Sequence, residues 1–118
     1  YDFNVQVDDS VEVFAGINAY EYAKKHNLGV VKELCGHGVG TDVHEDPEVP
    51  NFGPAGVGPK LKEGMVIAVE PMLTLGSPEV FLHDNDWTVD TQDGSTSAHF
   101  EHTIVVTKDG YEILTGEW

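Results

Sequence analysis

Hydrophobic and polar residues keep two different rhythms along the chain. Val13, Phe14, Ile17, Tyr20 and Ala23 recur at helical spacing, the signature of a helix with one apolar stripe. Asp9 or Ser10 offers the cap, with Glu12 and Val13 opening the first turn. Lys24, Lys25 and His26 bring positive charge to the end where the helix dipole is negative, and Asn27 and Gly29 close it. The pattern predicts a helix from Ser10 to His26. Ahead of it, Phe3, Val5 and Val7 alternate loosely over Tyr1 to Asp9, as a short strand or a ragged end would.

Beyond the helix the strand rhythm takes over. Val30 to Leu34 is a brief β-prone run. Met65 to Glu70 reads as a strand that follows a turn at Glu63-Gly64 and is closed by Pro71. Glu79 to His83 and Trp87 to Thr91 flank Asp84-Asn85-Asp86 as a hairpin. Ser97 to Val106 reads as one strand, which Asp109-Gly110 turns into Tyr111 to Thr115. Between these elements, "CGHGVGTDVHEDPEVPNFG" (Cys35 to Gly53) is too irregular for a helix and too polar for a strand. With Pro54, Gly56, Gly58 and Pro59 it predicts a long irregular loop, and such loops in compact domains usually carry function. No repeat or domain boundary interrupts the chain. One helix followed by mostly antiparallel strands makes an α+β fold.

Composition narrows the partners. The 118 residues suit one compact domain. With 21 acidic against 6 basic residues the formal charge is −15, which argues against nucleic acid or an anionic membrane as the main partner, because phosphate needs a basic footprint. Solubility is the ordinary meaning of such acidity; adaptation to salt and carboxylates gathered for a metal are the others. Cys35 is the single cysteine, so no disulfide forms within the chain, as befits a reducing, cytoplasmic setting. No apolar run reaches membrane-spanning length.

Four residues stand out as candidate chemistry. Glu70 ends an apolar strand on the face of Val66 and Ala68, where a carboxylate is costly unless something positive meets it. Glu101 alternates with His99, Thr103 and Val105, mid-strand between two histidines, in a run that otherwise reads as core. A wet outer sheet face is the plainer reading of it. His37 lies between Gly36 and Gly38, whose missing Cβ atoms let backbone or ligand approach. One imidazole with two carboxylates suits Mn²⁺, Fe²⁺, Co²⁺ or Zn²⁺. His44, followed by Glu45 and Asp46, reads as a further ligand, a donor to a polarised carbonyl, or a surface histidine in an ion pair.

Taken in order, "INAYEYAKKHN", "VVKELCGHG", "CGHGVGTDVHEDPEVPNFG", "LKEGMVIAVEPML" and "WTVDTQDGSTSAHFEHTIVVTKDGYEILT" resemble the C-terminal half of a type I methionine aminopeptidase over about Ser10 to Thr115. The resemblance implies the pita-bread fold with two divalent metal ions (Co, Mn, Fe or Zn) at its centre. It implies hydrolytic removal of initiator methionine from nascent polypeptide N-termini in the cytoplasm, with the ribosome a candidate partner and a monomeric full-length protein. It further implies His37, Glu70 and Glu101 as metal ligands, Glu101 bridging the metals and Glu70 also handling protons. His44 becomes the catalytic, substrate-binding histidine, and Trp87 lies beside the methionine pocket. Proline-specific peptidases share the fold and "DVHEDP" suits them, but "STSAHFEHTIVV" is of the methionine type.

Three departures accompany the match. His99 stands where a glutamine is usual and Val43 where an aromatic is common, two substrate-facing positions at which specificity loosens. "NDW" replaces the usual D-G-W and alters a turn. The family uses five protein ligands and this chain supplies three. The other two, both aspartates, and a second catalytic histidine belong to the N-terminal half, and Asp2, Asp8 and Asp9 do not replace them. The expectation is therefore a C-terminal part of one catalytic domain, inactive in isolation.

Overall fold

The computed structural model describes residues 15–53 and 58–116. The Tyr1–Asp9 stretch, the cap at Asp9 or Ser10, the first helical positions through Phe14, and Pro54 to Val57 lie outside the described residues. Helix α1 spans Ala15–Lys25, with Lys24 and Lys25 in its last turn. It ends as the sequence predicts. Asn27 adopts φ 56°, its amide donates to the Lys24 carbonyl at 3.1 Å, and the Leu28 amide donates to the Ala23 carbonyl at 2.8 Å. That pair of bonds around a left-handed residue satisfies the carbonyls a helix end leaves open.

The strands among the described residues are β1 (Gly29–Val30), β2 (Gly36–Gly38), β3 (Glu45–Val49), β4 (Val66–Val69), β5 (Met72–Thr74), β6 (Val80–Leu82), β7 (Val89–Thr91), β8 (Ser97–His99), β9 (His102–Thr107) and β10 (Gly110–Ile113). They form a five-stranded sheet in the order β10-β9-β4-β2-β3, a three-stranded sheet β1-β5-β8, and a ribbon β6-β7. Every pairing is antiparallel. The α+β class holds.

The core lies on one face of the large sheet. Ile67 and Val69 of β4 meet Ile104 and Val106 of β9, Val49 of β3 and Leu61, all buried, with Met65 and Tyr111 packed against them. Side chains alternate across a strand, so Ala68 turns to the other face, where it too is fully buried.

Three sequence expectations need correction. The Cys35–Gly53 segment is not one loop: β2 and β3 pair within it, with a register shift between His37 and Gly38. A Cβ on Gly36 would meet the Ala68 carbonyl, and one on Gly38 the Asp46 carbonyl, so glycine lets an otherwise weak β-former pair on both sides. Pro71 does close its strand, since β4 ends at Val69, and the chain then resumes as β5 in another sheet. Ser97 to Val106 is likewise two strands in two sheets, and Glu101 sits exposed in the break rather than mid-strand. Its alternation partners Thr103 and Val105 lie opposite the apolar core, whose β9 members are Ile104 and Val106. The β-prone Val30 to Leu34 run yields only Gly29–Val30 as strand.

Candidate metal centre

Three adjacent strands bring the candidate ligands onto the face opposite the core. His37 of β2 pairs with Ala68 of β4, and Ala68 pairs with Thr103 of β9, so the three share a row. Val69 pairs with His102, and one further step along that register sets Glu70 opposite Glu101. Two carboxylates facing each other repel unless a cation joins them. One ligand atom each from His37, Glu70 and Glu101 lies within 4.8 Å of the others.

Both acids occupy crossings between sheets. β4 leaves the large sheet at Glu70-Pro71, and the chain of β8 enters it at Phe100-Glu101. The Phe100 amide donates to the Pro71 carbonyl at 3.3 Å, tying the two crossings together. Asn51, 1% exposed, donates through Nδ2 to the Glu70 carbonyl at 3.3 Å and to the Leu34 carbonyl at 3.4 Å. Sequence reading passed over Asn51, because an asparagine between Pro50 and Phe52 looks like turn chemistry. Nothing short of the tertiary contact distinguishes it.

The hydrogen bond at Nδ1 fixes the tautomer of neutral His37. Nδ1 lies 2.9 Å from the Gly38 carbonyl, which can only accept, so Nδ1 carries the hydrogen. In the neutral ring Nε2 then presents a lone pair, 3.1 Å from Glu70 Oε1. Two acceptors at that distance in a site where both side chains are less than 15% exposed require a proton or a cation between them.

Glu70 Oε2 lies 3.2 Å from His99 Nε2. The His44 ring approaches His37 with centroids 4.1 Å apart and planes at 42°. His37, His44, Glu70, His99 and Trp87 line one groove of about 590 Å³. Val43, 72% exposed, is not among its lining residues. Trp87, 86% exposed, follows the turn of the β6-β7 ribbon. Asn85 Oδ1 accepts from the Trp87 and Thr88 amides at 3.1 and 2.9 Å, and Asp86 there takes φ 57°, a left-handed conformation more easily held by glycine. Cys35 also lines the groove. Burial foremost, then the negative charges of Glu48 and Glu70, pushes its thiol up, against a lowering hydrogen bond with the Val49 backbone. At neutral pH it is a thiol and offers no thiolate.

The donor set of one imidazole and two carboxylates fits a hard-to-borderline divalent cation. Comparison with known proteins agrees with that class. The profile of metallopeptidase family M24 matches residues 15–108, and the chain belongs to that family. Among its relatives, methionine aminopeptidase of Clostridium acetobutylicum is 54% identical over 95 residues, covering 80% of this chain and 38% of the relative. Methionine aminopeptidase 1 of Mycobacterium tuberculosis is 46% identical over 112 residues, covering 95% and 42%. The crystal structure of methionine aminopeptidase from Rickettsia prowazekii superposes with a TM-score of 0.85 at 48% identity, covering 87% of this chain and 42% of that one. The fold is thus that of part of the pita-bread architecture. The chain spans about two fifths of the length of these relatives. Among the described residues no helix is long and apolar enough to cross a membrane.

Proposed function

We propose that these residues form part of the catalytic centre of a metal-dependent aminopeptidase that removes initiator methionine from nascent chains. The observation that carries this reading is the juxtaposition of a lone-pair imidazole nitrogen and two facing carboxylates, an arrangement stable only around positive charge. His37 Nε2, Glu70 and Glu101, the last exposed at the sheet crossing, would hold the metal. When bound, such ions activate water for attack and polarise the scissile carbonyl.

The chain's own side chains do the rest. The groove beside the ligands, walled by Met72, Val89 and Trp87, accepts the methionine side chain. His44 donates to the substrate carbonyl oxygen, and one such donor at a developing oxyanion is worth about 2.7–4 kcal/mol in comparable sites. The Glu70 carboxylate would also take the proton released by the attacking water and return it to the leaving amine. The two further aspartates and the second histidine implied by the resemblance come from polypeptide outside the 118 residues. The isolated chain therefore binds metal weakly and does not turn over. The partner is a polypeptide N-terminus; cytoplasmic location and ribosome proximity follow from that substrate.

The test is hydrolysis of a Met-Ala peptide and of an X-Pro peptide by the intact protein carrying these residues, with Mn²⁺ or Co²⁺ added. The reading expects metal-dependent cleavage of the first only, and Glu101→Ala lowering it by about 100-fold or more, beyond the 10–100-fold typical of losing a ligand's supporting hydrogen bond. Unaltered activity in that variant, or turnover by the 118 residues alone, contradicts it.

A further inference from the structure

Two imidazoles flank Glu70, and they are not equivalent. His37 has its Nδ1 hydrogen committed to the Gly38 carbonyl, so its Nε2 faces Glu70 as an acceptor. His99 Nε2 stands 3.2 Å from the other carboxylate oxygen, an ion-pair contact, and among the described residues neither ring nitrogen of His99 makes a hydrogen bond. Nothing obliges Nδ1 to carry the hydrogen, and the neutral tautomer with the hydrogen on Nε2 gives Glu70 a donor. His99 also stands outside the group formed by His37, Glu70 and Glu101, so the geometry does not make it a fourth ligand.

We propose that His99 is a positioning residue for Glu70: it sets Nε2 beside Oε2 as a donor available to that oxygen and leaves Oε1 turned toward His37 Nε2 and the cation. The inference rests on the metal-centre reading above and extends it to a residue outside the ligand set. Its strand position supports the role. His99 pairs with Met72 across β5-β8, one residue beyond the Pro71 crossing, so it reaches Glu70 from the second sheet while Asn51 holds the Glu70 backbone. Side chain and main chain of one ligand are thus fixed from two directions. A carboxylate held this way binds a cation with less ordering to complete, and such outer partners govern affinity in known metal sites.

The experiment compares His99→Gln with His99→Leu in the intact protein. The two side chains are similar in size, but only glutamine donates. Mn²⁺ binding is read from loss of the free-ion electron paramagnetic resonance signal, and folding from the thermal midpoint without metal. His99 is 47% exposed at its side chain, so both variants should fold with midpoints near that of the parent. The proposal expects His99→Leu to weaken Mn²⁺ binding about 10–100-fold and His99→Gln to restore it to within a few-fold of the parent. Equal affinity of parent and His99→Leu overturns the proposal while leaving the metal centre standing. Equal weakening by both variants also overturns it, because a donor then restores nothing. A parent that binds no Mn²⁺ overturns the metal centre itself, and this inference with it.

Discussion

The two faces of β4 differ by a single residue step and do opposite things. Ile67 and Val69 point into a dry cluster with Ile104 and Val106. Ala68 and the following Glu70 point to the face where His37 and Glu101 gather. The core face gains by burying carbon, and every one of its contacts serves stability. The site face sets like charges opposite each other at a sheet crossing, which disfavours the metal-free protein and suits a cation. Packing and function are separated by alternation alone, so a substitution on one face should not imitate one on the other.

The largest test of that separation is Ile67→Ala. Deleting a fully buried isoleucine should cost about 2–5 kcal/mol, seen as a lower urea midpoint, while the surviving folded fraction keeps its Mn²⁺ affinity. Asn51→Leu comes next. It leaves the carbonyls of Glu70 and Leu34 without their side-chain donor and should cost about 1–3 kcal/mol, but here Mn²⁺ affinity falls too, because the Glu70 backbone is no longer held. Asn51 therefore sharpens the comparison as a core residue that serves the site.

Glu101→Gln should reverse the usual sign. Removing one of two facing carboxylates leaves the metal-free protein as stable as the parent or slightly more so, as strained functional sites often do, while added Mn²⁺ no longer raises its thermal midpoint. The smallest effect involves a side chain that belongs to neither face. The Asp93 carboxyl is held below its ordinary value by the Ser95 side chain first, then by the Ser77 and Ser95 amides. A depressed carboxylate adds stability above its unfolded value and loses it as pH falls through the folded one. Asp93→Asn should thus narrow the difference in stability between neutral pH and about pH 3, read by thermal melts across that range.

Much of the site was legible in the chain because its chemistry is local. Glycines around His37 announced close backbone approach, and they permit β2 to lie between β3 and β4. A glutamate ending "VIAVE" and another within "AHFEHT" stood out against apolar neighbours, and the β4-β9 register brings them together. What escaped was the pair of sheet crossings. Apolar alternation continues through Phe100 and resumes after Pro71, so period alone cannot tell one strand from two that change sheets. Glu101 was therefore read as facing a core when it faces the groove side at a break. Strand β2 escaped for the opposite reason: Gly-His-Gly has little β-propensity, and its neighbours on both sides hold it in the sheet. Asn51 had no signal, since its value lies in two carbonyls distant in sequence.

Anomalous diffraction at the manganese edge, from crystals of the intact protein grown with Mn²⁺, tests the central claim most directly. The account predicts a peak bounded by His37 Nε2, the Glu70 carboxylate and Glu101. A map with manganese only on the exposed acidic surface, such as around Asp84 and Asp86, and none between those three side chains, would contradict it.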